Sequence, residues 1–73
     1  MSYPEMISVD SSTIESIGYD DNSQIVYVRF INGGLYSYHD VPFDEYENLL
    51  NASSCGSYLH NYYKGTYSYE KIE

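Results

Sequence analysis

At 73 residues the chain has room for one small domain, and ordering it costs roughly 1.5 kcal/mol per residue, which leaves a thin margin of stability. A single cysteine, Cys55, excludes an internal disulfide and any multi-cysteine zinc site, so packing, helped or not by self-association, has to carry the fold. The formal charge of −8, from 11 acidic and 3 basic residues, keeps the protein dispersed and opposes binding to DNA, to RNA backbones and to anionic membranes.

The acidity is uneven. Nine carboxylates and one base, Arg29, lie in residues 1–51, whereas Lys64 and Lys71 balance Glu70 and Glu73 in residues 52–73. No charged start leads into an apolar stretch, so no signal peptide is expected. No apolar run approaches the roughly 20 residues needed to span a bilayer. A cytoplasmic protein is the expectation. Residues 1–5 read as a flexible lead-in and residues 6–73 as a single domain.

Residues 6–9 can add a short edge strand. Asp10-Ser11-Ser12-Thr13 is a polar cluster that caps or turns the backbone through side-chain oxygens. Ile17 and Tyr19 then alternate with polar or small neighbours over residues 14–20, the pattern of a half-buried strand. Gly18 in that strand marks a bulge or a close backbone approach. Asp20-Asp21-Asn22-Ser23 is a turn by composition.

Residues 24–31 form the clearest strand, with Val26, Val28 and Phe30 on one face and Tyr27 and Arg29 on the other. Asn32-Gly33-Gly34 tolerates the positive φ of a hairpin turn. The return strand, residues 35–39, places Tyr36 and Tyr38 on one face and Leu35, Ser37 and His39 on the other.

The period changes at Val41-Pro42. Proline suits a first helical turn, and Asp44 and Glu45 suit its positive end. Phe43, Tyr46, Leu49 and Leu50 make the apolar stripe of this helix. Ser53 or Ser54 caps a second helix, whose stripe is Cys55, Tyr58, Leu59, Tyr62 and Tyr63, and which stops at Lys64-Gly65. Residues 66–72 alternate Tyr67 and Tyr69 with Ser68, Glu70 and Ile72, as a final strand or an ordered tail. Strands that run together ahead of helices predict an α+β domain: an antiparallel β-meander of about three strands, then two short helices.

The run Ser11-Ser12-x-Ile14-x-x-Ile17-Gly18-Tyr19-Asp20, the strand Val26-x-Val28-x-Phe30 leading to Asn32-Gly33 and Tyr36-x-Tyr38, then Val41-Pro42, Ala52-x-Ser54-x-Gly56 and Tyr67, together resemble the KTSC domain. This short module occurs at the C-terminus of some lysyl-tRNA synthetases and as a stand-alone bacterial protein, the form expected here. The resemblance spans residues 6–72. It implies a small domain with a central Y-x-Y motif and no established function, for which RNA binding is suggested by association with a tRNA enzyme. Leu59 stands where the family often has Phe, and Tyr63 where it often has an aliphatic residue. Ser12, Ile14, Gly18, Tyr19, Asp20, Gly33, Pro42, Ser54 and Gly56 are motif residues expected to act structurally.

No motif for catalysis, metal or cofactor emerges, so an enzyme is not expected. Cys55 near a helix start could hold a thiolate, but its phase with Leu59 makes it a small buried hydrophobe. His39 and Asp40 are adjacent on a strand and so point to opposite faces. Asp20 and Asp21 match no Ca²⁺ loop, and Gly33-Gly34 lacks the lysine of a phosphate loop. Ser11, Ser12, Ser53, Ser54 and Gly56 could form an anion nest, though capping explains them.

What remains is the excess of tyrosine, 11 residues against two Phe and no Trp. Tyr19, Tyr46, Tyr58 and Tyr62 fall on apolar faces. Tyr27, Tyr36, Tyr38, Tyr67 and Tyr69 are core or contact surface depending on which sheet face is covered. With Lys64 they are the contact candidates. The function expected is a non-catalytic module that grips a protein partner, or a second copy of itself, through exposed tyrosines. The alternative is weak RNA binding by base stacking, which the charge disfavours.

Overall fold

The computed structural model describes residues 4–73, so residues 1–3 of the expected lead-in lie outside the described residues. The strands β1 (Ile7–Ser8), β2 (Ile14–Asp20), β3 (Ile25–Phe30), β4 (Leu35–Tyr38) and β5 (Tyr69–Lys71) form one antiparallel sheet in chain order. Between β4 and β5 the chain makes α1 (Phe43–Leu50) and α2 (Cys55–Tyr58), and α2 runs straight into a π-helical turn, Leu59–Tyr63. The class is the α+β expected. The strand number is five because both short end segments, 7–8 and 69–71, join the meander instead of lying beside it.

One face of the sheet carries the core. Ile14 and Ile17 are three residues apart, which strict alternation would put on opposite faces. A register shift between Ile14 and Ser16 supplies an extra residue, and both isoleucines are buried in one cluster with Val26, Val28 and Tyr38. The bulge is therefore upstream of Gly18, which serves the other purpose. A Cβ at Gly18 would stand 2.7 Å from the Met6 sulfur and 2.9 Å from the Glu5 carbonyl, so the glycine admits the incoming segment against the outer face.

The turns follow composition. Ser11 Oγ accepts from the Thr13 and Ile14 amides at 3.2 Å each. Gly33 takes φ +107° in the hairpin, and Asp40 takes φ +59° where the chain swings towards α1. Pro42 sits one position earlier than a first-turn proline, as the N-cap, and its carbonyl accepts from the Glu45 and Tyr46 amides.

The helices close the core, with two departures from the predicted stripes. In α1, Tyr46 and Leu49 are buried but Phe43 is exposed at the helix start, its ring 5.8 Å from Tyr19. After α2, Tyr62 is 56 % exposed while Tyr63 is 0 % exposed. The cause is the π-helical turn, in which the Lys64 amide donates to the Leu59 carbonyl five residues back at 3.2 Å. The extra residue rotates the stripe, so burial steps by four through Cys55, Leu59 and Tyr63. Tyr62 keeps only a partial stack on Tyr58, with ring centroids 4.5 Å apart.

Tyr63 meets Tyr38 edge-on at 5.6 Å and donates to the Glu45 carbonyl at 2.9 Å. Tyr19 stacks on Tyr46 at 4.9 Å and donates to the Val41 carbonyl at 2.7 Å. Each of these rings buries area and gives its hydroxyl a partner, which is how tyrosine can replace Phe and Trp in a core.

Two predictions follow from the tyrosine core. Tyr63→Ala should lower the unfolding free energy by about 3–5 kcal/mol, whereas Tyr62→Ser should cost less than about 1.5 kcal/mol, measured by urea denaturation. The second concerns alkali. Burial, with smaller contributions from Tyr36 and Tyr69, pushes the Tyr38 phenol up to about 12. Folding thus raises its affinity for the proton, so its stabilisation is complete below the ordinary value near 10 and is lost as pH climbs towards 12. Stability should fall across that window, and the fall should be shallower in Tyr38→Phe.

Candidate functional site

Cross-strand register decides which tyrosines meet. Ile17, Val28, Tyr36 and Lys71 stand in one row on the core face, and Tyr19, Val26, Tyr38 and Tyr69 in the next. The helical layer covers both rows as far as β4. Over β5 it stops, leaving Tyr69 59 % exposed and Lys71 exposed.

There the sheet, the hairpin and the end of the π-helical turn enclose a groove of about 450 Å³, lined by Phe30, Asn32, Gly34, Tyr36, Tyr38, Lys64, Tyr69 and Lys71. Its rings support one another. Phe30 meets Tyr36 edge-on at 5.3 Å, Tyr36 lies 6.1 Å from Tyr69, and Tyr38 lies 5.7 Å from Tyr69. Lys64 reaches the groove because the helix ends there, its extended backbone and the following Gly65 at φ +82° turning the chain back towards β5.

The electrostatics are local and opposite to those of the chain. Lys64 and Lys71 are two of the three basic residues, and both line this groove. The third, Arg29, lies on the outer face, paired with Glu73 at 3.0 Å. The groove continues past Phe30, Asn32 and Lys64 into a hollow of about 440 Å³ bounded by Ile31, Thr13, Leu59 and His60. Beyond it lies a polar cleft of about 480 Å³ between residues 10–13 and 53–61.

The predicted contact residues divide accordingly. Tyr36, Tyr69 and Lys64 come together. Tyr38, taken as a contact candidate, is only 2 % exposed and forms the groove floor, because Tyr63 and β5 close over its ring; its edge alone is available. Tyr27 lies on the outer face between Gly18 and Ser37, and Tyr67 is half-buried with its ring 5.1 Å from Tyr63. Phe30 and Lys71 are members that sequence reasoning missed. The face of Phe30 was assigned, but its exposure depends on where the helices end. Lys71 needs the β4–β5 register, which puts it opposite Tyr36.

The serines the sequence groups together do converge on the polar cleft. Ser11 Oγ is taken by the Thr13 and Ile14 amides, and Ser54 Oγ accepts from the Ser57 amide at 3.3 Å. Gly56 lets α2 approach this loop, since a Cβ there would lie 2.5 Å from Thr13 Oγ1. His39 lies 3.0 Å from Ser37 Oγ on the outer face, while Asp40 is exposed at the turn. Among the described residues no group of three His, Cys, Asp or Glu side chains is placed to hold a metal ion, and no helix is long and apolar enough to cross a membrane.

The family model of the KTSC domain matches residues 10–67. The chain belongs to the KTSC domain family. It is similar to the KTSC domain protein of Yersinia pestis, whose crystal structure superposes with a TM-score of 0.90 at 33 % identity over 94 % of this chain and 97 % of that one. It is 41 % identical to a protein of Tsukamurella paurometabola over 81 % of this chain and 88 % of that protein. An uncharacterized protein of Stutzerimonas stutzeri is 37 % identical, covering 92 % of this chain and 96 % of that one. The lysine–tRNA ligase of a Nostoc species is 33 % identical over 92 % of this chain, which spans 12 % of the ligase.

In this KTSC domain Cys55 behaves as packing. Its buried thiol lies 3.3 Å from the Leu49 carbonyl, to which it donates, and burial pushes its pKa up despite its place at a helix start. A thiol reagent should therefore modify Cys55 at least about a hundredfold more slowly in the folded protein than in urea, since reaction waits for local opening. Equal rates would place the thiol at the surface.

Proposed function

We propose that this KTSC domain is a non-catalytic binding module that holds a protein partner against the groove of Phe30, Tyr36, Tyr69, Lys64 and Lys71. The observation that carries the reading is the convergence of two incompletely covered tyrosines with both lysines where the helical layer leaves the β4–β5 side of the sheet open. Aromatic rings held by their neighbours lose little entropy on binding, and contact energy concentrates on such anchors. A cytoplasmic location is part of the same reading.

RNA is the second reading. Two lysines beside stackable rings favour it, as does the likeness to lysine–tRNA ligases. Two cations release few counterions, so the salt slope for a single strand would not exceed about 1.4, and the net charge of −8 lowers the encounter rate.

Photo-crosslinking decides between them. With a benzophenone amino acid at position 69, the full chain in its own cells should capture protein, and Tyr36→Ala should remove the product. The same probe at Asp21, in the turn after β2, should capture nothing at comparable yield. Labelled single-stranded RNA and a tRNA pool should show no micromolar binding at low salt. RNA binding of that strength, abolished by Tyr36→Ala and Tyr69→Ala, would replace the protein reading with the RNA one.

A further inference from the structure

We infer that the open edge of β5 takes an extended segment of a partner protein as a sixth strand of the sheet. This rests on the groove reading and specifies the form of the partner. The backbone alternation of the last strand carries it. The His39 amide donates to the Ser68 carbonyl at 2.9 Å, and the Ile72 amide donates to the Leu35 carbonyl at 2.7 Å. Residues 68 and 72 thus turn their backbone groups towards β4, and with a period of two so does Glu70, opposite Ser37. The N–H and C=O groups of Tyr69 and Lys71 point the other way, off the end of the sheet. All of β5 is exposed.

The side chains specify what fits. Tyr69 and Lys71 rise on the groove side and Glu70 on the outer side. An antiparallel segment meets them in turn with an acid opposite Lys71, a base opposite Glu70 and an aromatic or β-branched residue opposite Tyr69. Acid and base cancel, so the charge of −8 does not repel such a segment. A second copy fits badly. Pairing Tyr69 with Lys71 of another copy sets Glu70 against Glu70, and both copies carry the full negative charge. The occupant is therefore a different chain, bound by strand addition with the acid–base–aromatic alternation as its signature.

The test is an amide-resolved NMR titration of the full chain with a synthetic peptide of about seven residues, centred on Glu-Lys-Tyr and flanked by threonine and valine. Shifts and slowed exchange are expected at the Tyr69 and Lys71 amides. Lys71→Pro removes an outward N–H without breaking a β4–β5 bond and should weaken binding about tenfold. Glu70→Lys should reverse the preference, favouring a peptide with glutamate at its central position. Shifts at Phe30 and Tyr36 with no slowed exchange at the Tyr69 and Lys71 amides would overturn strand addition and leave the groove reading standing. Edge protection that rises with protein concentration and needs no peptide would also overturn it, in favour of a second copy. So would the absence of any shift at about millimolar peptide, in which case the crosslinking at position 69 decides the groove on its own.

Discussion

The Tyr63 side chain joins every layer of this domain. Its ring meets Tyr38 on the sheet and Tyr67 on the approach to β5, and its hydroxyl donates to the Glu45 carbonyl in α1. Only the π-helical turn brings it there. On a regular helix each residue advances about 100°, so removing the inserted residue would swing the ring off the sheet and present Tyr62 or the next turn instead. The fold has no disulfide and no tryptophan, and a ring of this volume at a three-way junction does what either would otherwise do. Glu45 ties the same region again, since its carboxylate accepts from the Tyr58 hydroxyl at 2.8 Å.

The groove is a consequence of that junction. Once Tyr63 is seated, the helix cannot continue over the sheet, and the chain leaves through Lys64 and Gly65 to lay down β5 beyond the helical layer. The last strand therefore adds two residues, Tyr69 and Lys71, to the core face at a place the helical layer leaves exposed. Exposure of aromatic surface here results from a mismatch in width: the helical layer ends at β4, and the sheet runs on to β5. Phe30 and Tyr36 fill the step, and their edge-on contact holds the step rigid.

Much of this was legible in the residues themselves. The hairpin at Asn32-Gly33-Gly34, the faces of β3 and β4, the helix after Pro42 and the cap at Ser54 each announce themselves through local chemistry, because each depends on neighbours close in sequence. What stayed hidden depends on insertions of one residue. The shift between Ile14 and Ser16 and the π-helical turn both change a period midway, and a period is read by assuming that it persists. The β4–β5 pairing hides for another reason: 30 residues separate Tyr69 from Tyr38, and no local signal announces so distant a partner. Lys71 went unnoticed as a groove member for that reason and Phe30 because its exposure depends on where the helices end, while Tyr38 stayed open between core and contact surface because nothing local says that Tyr63 will cover it.

The charge pattern bears on how an open edge is tolerated. Unpaired strand edges invite indiscriminate pairing, and proteins blunt them with short strands and charges. Here β1 has two residues and β5 three, and Glu70 and Lys71 place opposite charges on opposite faces of the latter. An unrelated apolar strand gains two pairs of backbone bonds at most and strands both charges in a drier setting, while another copy brings glutamate against glutamate. A segment with the complementary alternation keeps the backbone bonds and satisfies both charges. The same two residues that make the edge safe against aggregation thus make it selective, and the groove of Tyr36 and Tyr69 beside it gives the selected segment an aromatic surface to rest on.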